Sequence, residues 1–189
     1  MISDVNQQWH NCGLCRLAGT RKNMVLGRGS ATPYVVFLGE APGRTEDAMG
    51  QPWVGTSGRF LEYALGEALS SPQGSTTFDL EVHAAYYLNV VACRPCDGRR
   101  GPNRQAHPEE IAACATRLKA QLAELRPEVV VRLGISSQIS TAWLTTDAEW
   151  KWMRVINLPH PAALLRRGGI QAYDYGRYVE TLRSIWRKE

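Results

Sequence analysis

Four short runs rich in β-branched and aromatic residues recur along this chain, and segments with helical spacing separate them. The runs are Tyr34–Leu38, Tyr86–Val91, Val129–Leu133 and Arg154–Leu158, each read as a strand. Between them, Gly58–Leu69 carries Leu61, Leu65 and Leu69 at one-turn intervals. Pro108–Leu125 carries Ile111, Leu118, Leu122 and Leu125 on one helical stripe. Pro108 opens that helix, Glu109 and Glu110 sit beside its positive end, and Arg126-Pro127 stops it. A further helix is expected after Gly134, and Tyr173–Arg187 makes the last. Strands that alternate with helices pair in parallel through crossovers. The expected fold is therefore α/β: a three-layer α/β/α domain around a mostly parallel, four-stranded central sheet.

In such folds ligands bind beyond the carboxyl ends of the strands. The polar, Gly/Pro-rich loops after the first, second and fourth strands are Gly39–Gly58, Ala92–His107 and Pro159–Gly169, and they should converge on one site. The 189 residues suit a single domain spanning 1–189, since no repeat, low-complexity block or long linker divides them. No apolar run approaches the ~20 residues of a membrane span, and the N-terminus lacks the layout of a secretion signal. A cytoplasmic location is the expectation. Lys and Arg total 22 against 18 Asp and Glu, a mild excess that permits a polyanionic partner. The arginines fall in groups, among them Arg99/Arg100/Arg104 and Arg166/Arg167, which suit phosphate contacts or simply a solvated surface.

Five cysteines without a secretion signal point to metal or catalytic roles rather than disulfides. Cys12/Cys15 and Cys93/Cys96 form two C-x2-C pairs, and Cys114 stands alone on a helix. Two such pairs suggest zinc, but a full strand–helix–strand separates them, unlike a compact ribbon. Cys12, Cys15, Cys93 and Cys114 would instead suit a [4Fe–4S] cluster, leaving Cys96 free. Cys114 also fits as a small buried helix residue. Spacing leaves these readings open.

The loop after the first strand, Gly39-Glu40-Ala41-Pro42-Gly43, can turn sharply and bring N–H groups close to a ligand. It lacks the G-x-x-x-x-G-K-[ST] pattern of a phosphate-binding loop, so nucleotide hydrolysis has no support. Trp53, further along, either stacks on a planar base or belongs to the core. Gly39–Asp47, Gly50–Gly55 and Ser57-Gly58 together resemble the first signature of the family 4 uracil-DNA glycosylases. Leu88–Pro95, Asn103-Arg104 with Pro108–Cys114, and Leu158–Arg166 resemble the later ones, in the same order.

The resemblance implies a monofunctional DNA repair enzyme that flips uracil out of single- or double-stranded DNA and hydrolyses its bond to the sugar, leaving an abasic site. It assigns Cys12, Cys15, Cys93 and Cys114 to a [4Fe–4S] cluster held partly by the N-terminal segment. Asn89 would pair with N3–H and O4 of uracil, and Trp53, where the family has Phe, would stack on the ring. Glu46 would approach the C5 edge, while His160 would donate to O2 of the leaving base. Glu40 and Ala41 would bind the base through their backbone, with Glu40 or Glu46 orienting the water. Ser57, Arg166 and Arg167 would contact DNA, and Leu164 or Leu165 would wedge into the gap. The implied partner is uracil-containing DNA, with no membrane, and the protein is expected to act as a monomer.

Three features depart from the family pattern: Trp53 itself, Ala162 in place of Ser, and the long Cys93–Cys114 spacing produced by Cys96–Gly101. They keep two variants in view, a glycosylase for a bulkier modified pyrimidine and a protein that captures uracil-containing DNA without turnover. The candidate for covalent capture, His107, adjoins Pro108 at a helix start and is read as structural.

Overall fold

A computed structural model describes residues 1–70 and 84–186. Four parallel strands, β2 (Val35–Gly39), β3 (Ala85–Asn89), β4 (Val129–Leu133) and β5 (Arg154–Leu158), form the sheet with a short β1 (Arg28–Gly29). Their order is β1-β3-β2-β4-β5. The helices are α1 (Ile2–Trp9), α2 (Arg44–Met49), α3 (Thr56–Leu69), α4 (Pro108–Leu125), α5 (Ile135–Ser140), α6 (Trp143–Thr146), α7 (Pro161–Arg166) and α8 (Tyr175–Ser184). No described helix is long and apolar enough to cross a membrane.

Side chains alternate across a strand, so each central strand feeds two cores. Val35 and Phe37 of β2, Tyr87 of β3 and Val131 of β4 pack with Leu61 and Leu65 of α3, Leu164 of α7 and Leu182 of α8. Val36 and Leu38, Leu88 and Val130 face the other way, onto Leu118, Leu122 and Leu125 of α4 and Leu144 of α6. Each such aliphatic side chain contributes about 1.5–3 kcal/mol when withdrawn from water. Three layers result, as the strand–helix alternation requires.

The sheet corrects the expected strand number. Arg28–Gly29 pairs antiparallel with β3, Arg28 opposite Tyr87, and makes a fifth strand. Two residues carry no periodicity, which is why the sequence conceals it. The last helix runs from Tyr175 to Ser184 rather than from Tyr173, and Arg187 lies outside the described residues.

Chain order reverses around β2: β3 lies on one side of it and β4 on the other. Crevices open beyond the carboxyl ends of strands at such a reversal.

Candidate active site

At that end of the sheet lies a cavity of about 510 Å³. Glu40 follows β2, Asn89 ends β3, Leu133 and Gly134 close β4, and His160 follows β5. Glu40, Ala41, Glu46, Trp53, Ser57, Asn89 and His160 all line it, so the three loops expected to converge do so. The turn after β4 also contributes, through Gly134, Ile135 and Ser136, and Arg44, Asn103 and Arg104 complete part of the rim. Sequence reading passed over the β4 turn because Gly134 looked like a mere helix start.

Asn89 is 4% exposed, and among the described residues its side-chain amide has no protein hydrogen-bond partner. A carboxamide left unpaired at a cavity wall is ready for a ligand that supplies both a donor and an acceptor. Gly39 makes room for it: a Cβ there would stand 2.6 Å from both Asn89 Oδ1 and Trp53 Cζ2.

Trp53 is both wall and core. It is 5% exposed, so the two readings of the sequence, base surface and core, both apply, and its Nε1 donates to the Leu88 carbonyl at 3.1 Å. Its backbone adopts φ 60°, a conformation uncommon outside glycine. The indole stacks on His160 with ring centroids 5.5 Å apart and planes inclined by 27°. Two ring contacts need about 7 Å, so no base slides between these rings. A base must meet them from the open side.

His160 caps α7, with Nδ1 accepting from the Ala162 amide at 3.1 Å. The neutral ring therefore carries its proton on Nε2. Burial lowers the imidazole pKa below its ordinary value; Arg166 acts in the same direction, while Glu40 and Glu46 pull it up. The result is a neutral N–H donor at the cavity wall.

The two glutamates differ. Glu46 accepts from Gly55 N at 2.7 Å and from Gly43 N at 3.1 Å, one backbone donor on each oxygen, which ties the two halves of the loop together. Glu40 accepts from Ala106 N through Oε1 at 2.9 Å, and among the described residues Oε2 has no protein partner. Ser57 stands in the first turn of α3 and lines the cavity with Gly55 and Thr56 from the same helix start.

Of α7, Ala162 lines the cavity, whereas Leu164, Leu165, Arg166 and the following Arg167 fall outside its lining. Leu164 is 0% exposed and packs in the core with α3 and α8, which corrects its expected wedge role; Leu165 is half-buried against the same core. Arg167 is paired with Asp174 at 3.0 Å. Arg166 is exposed and, among the described residues, unpaired. His107 is absent from the cavity wall; it caps α4, where its amide donates to Glu110.

Cys12 and Cys15 of the N-terminal segment lie in the same neighbourhood as Cys93 after β3 and Cys114 of α4. The thiols lie close enough to influence one another's ionisation. Burial pushes the Cys93 thiol up to about 11, against the pull of Arg21, whose Nη1 donates to its sulfur at 3.3 Å. Cys96 stands apart, donating to the Arg94 carbonyl at 3.7 Å. Among the described residues, no three His, Cys, Asp or Glu side chains form a group able to hold a metal ion.

Arg117 supplies the test of what those thiols hold. It is wholly buried, its charge faces Cys114, Cys93 and Cys12, and Nε has no partner. Its other nitrogens donate to Gln121 Oε1 and to the carbonyls of Asn89 and Val90, and the Cys114 side chain is its further hydrogen-bond partner. A buried guanidinium paired with no carboxylate is strongly unfavourable unless the cysteines beside it are ionised. An anionic group bound by the four thiolates would supply that charge and a partner for Nε.

Glu110, overlooked in the sequence as a helix-start carboxylate, braces this region. It is fully buried and accepts from Arg104 at 2.7 and 2.9 Å, from Arg16 Nε at 2.9 Å and from His107 N at 2.9 Å. The Arg104 guanidinium is the main reason its carboxyl sits at about 2. The pair joins the segment after Cys15, the Cys93–Cys114 loop and α4.

The family model for the Uracil DNA glycosylase superfamily matches residues 26–183. The Type-4 uracil-DNA glycosylase of Archaeoglobus fulgidus is 33% identical over 88% of this chain and 84% of its own length. That of Thermotoga maritima is 36% identical over 72% of this chain, and the match spans 64% of its own length. The crystal structure of wild-type Pedobacter heparinus SMUG2 shares the fold, with a TM-score of 0.60 and 12% identity over 97% of each chain.

Proposed function

The chain belongs to the uracil-DNA glycosylase superfamily, and on that premise we infer that it is a DNA repair enzyme hydrolysing the bond between uracil and deoxyribose. The observation that carries this reading is the meeting of Asn89, Trp53 and His160 in one cavity, from the ends of different strands.

A base inside a duplex is out of reach and must be extruded. Once in the cavity, uracil meets the unpaired amide of Asn89, which accepts from N3–H and donates to O4. Cytosine offers the opposite pattern at both atoms and is refused. Trp53, fixed by Leu88, is the rigid apolar surface against which the ring rests.

As the glycosidic bond breaks, its electron pair leaves with the base, and negative charge grows on O2. The Nε2–H of neutral His160 stabilises that charge without first having to lose a proton. Water attacks the sugar carbon, and Glu40, with Oε2 unengaged, orients it and accepts its proton. Glu46 keeps the loop in shape. Position 41 is Ala, so no second carboxylate assists there, and among the described residues no lysine lines the cavity to form a Schiff base. With His107 away from the wall, turnover rather than covalent capture follows.

Cys12, Cys15, Cys93 and Cys114 would hold a [4Fe–4S] cluster. When bound, it supplies a cross-link between the N-terminal segment and the domain, together with the negative charge that Arg117 faces. Ser57 and Arg166 contact DNA phosphates. Residues 1–189 act as one domain and as a monomer in the cytoplasm.

The test is an oligonucleotide panel carrying uracil, thymine, hypoxanthine or 5-substituted uracils, treated with protein and then with alkali. Cleavage at uracil is expected, with loss of activity in Asn89→Ala and His160→Ala. A shifted, uncleaved adduct would mean capture instead. Iron content lost in Cys114→Ser but kept in Cys96→Ser checks the cluster; colourless, iron-free protein that binds zinc and needs Cys96 rather than Cys114 would favour the zinc reading.

A further inference from the structure

When a base leaves the duplex it opens a gap that water and the returning base compete to fill. Glycosylases hold the gap open with an apolar side chain pushed into the stack. Such a side chain must be exposed in the free protein, lie at the mouth of the pocket and stand on a rigid mount. Leu164 fails because it is buried, and Leu165 because it rests half-covered against the core away from the cavity.

We propose that Ile135 is the wedge. Its side chain is 73% exposed although aliphatic, and it lines the same cavity as Asn89 and His160. Ile139, one turn further along α5, is 72% exposed, so an apolar strip leads away from the rim. Polar residues that line the same cavity, including Arg44, Thr45, Ser57 and Ser136, suit a phosphate backbone passing over the mouth.

The mount is rigid and placed against the reacting centre. Gly134 has φ 91°, and a Cβ on it would stand 3.0 Å from His160 Cβ, so glycine lets this turn pack close to His160. Gly134 N donates to the Leu158 carbonyl at 2.9 Å, and Ser137 Oγ donates to the Leu133 and Gly134 carbonyls at 2.9 and 2.8 Å. The turn is thereby bound to both β4 and β5. A β-branched side chain on such a turn has little rotamer freedom to lose on insertion.

The inference rests on the glycosylase reading, and the experiment separates the two. Initial rates of Ile135→Ala, Leu165→Ala and wild type are compared on single-stranded uracil DNA and on duplexes with uracil opposite adenine or guanine. A single strand has no stack to wedge. For Ile135→Ala the duplex-to-single-strand rate ratio should fall about tenfold or more opposite adenine, and less opposite guanine, where the pair is already weak. A bulky planar nucleoside opposite uracil should restore the ratio by filling the gap itself. Leu165→Ala should keep the wild-type ratio.

Equal loss on both substrates, an unchanged ratio, or a duplex-specific loss in Leu165→Ala instead would overturn the proposal. Fluorescence of 2-aminopurine placed beside uracil provides a second readout that needs no cleavage. It should rise when wild type binds duplex and rise less with Ile135→Ala; equal rises count against Ile135. Wild type that releases no uracil from either single strands or duplexes sinks the glycosylase reading, while the fluorescence comparison still decides the wedge.

Discussion

Arg117 donates through Nη2 to the carbonyl oxygen of Asn89 at 2.7 Å, and the same guanidinium faces the thiol of Cys114. The backbone that presents the base-reading amide is thus held by a charge whose surroundings are the cluster cysteines. Gln121, which Arg117 also reaches, continues the contact to Asn6 of α1 at 2.6 Å.

Arg117→Met should destabilise the protein by about 2–4 kcal/mol, because the carbonyls of Asn89 and Val90 lose a donor inside the core. Iron per chain should fall as well, since the anionic group loses its countercharge. Denaturant titration and iron analysis check both. Wild-type values for the two together would show that the guanidinium is not paired with anything the cysteines bind.

His160→Ala should lower kcat by about 10²–10³, the size of effect seen when a preorganised donor to developing charge is removed. Burial depresses the imidazole pKa, so the neutral ring persists below the ordinary value of 6.5. The wild-type kcat should stay level as pH falls through that value and decline only below it. An acid limb centred above 6.5 would contradict a neutral donor. The same shift weakens folding in acid, because below 6.5 the unfolded ring takes up a proton that the folded ring resists.

Glu110 titrates in a different window. Its carboxyl is held at about 2 in the folded protein, mainly by Arg104, against 4.5 for the free group. Stability from this carboxylate is complete above 4.5 and is lost as pH falls toward 2, with a size of about 2–3 kcal/mol. Glu110→Gln should be less stable at neutral pH and should flatten the pH dependence of unfolding across that interval. Equal slopes for variant and wild type would count against the pairing.

Gly39→Ala tests the crowding at the end of β2. The added methyl would meet Asn89 Oδ1 and Trp53 Cζ2 at 2.6 Å, so one of them must move. Uracil release should fall by about two orders of magnitude, as expected for a displacement near 1 Å at a reacting site. The far-ultraviolet circular dichroism should stay native. Full activity would mean that neither side chain's position matters.

Much of the site was legible because residue type and strand position coincide there. Asn89 ends a hydrophobic run, and His160 follows another within Leu158-Pro-His-Pro161, so each lies where an α/β sheet opens to a ligand. Glu46 was legible as a site residue, but not its bonds to Gly43 and Gly55, which depend on a loop that folds back on itself. The two-residue β1 was invisible because too few residues carry it to show a period.

Local patterning, read along the chain, determined the layers, the parallel strands, three of the loops that meet, and the cysteines available to a cluster. Only the tertiary structure decided which leucine of α7 is buried, which isoleucine stands free at the cavity mouth, and which buried arginine faces cysteines instead of a carboxylate. Periodicity reports what a residue's own element does with it. Exposure, pairing and charge balance depend on elements that arrive from elsewhere in the chain.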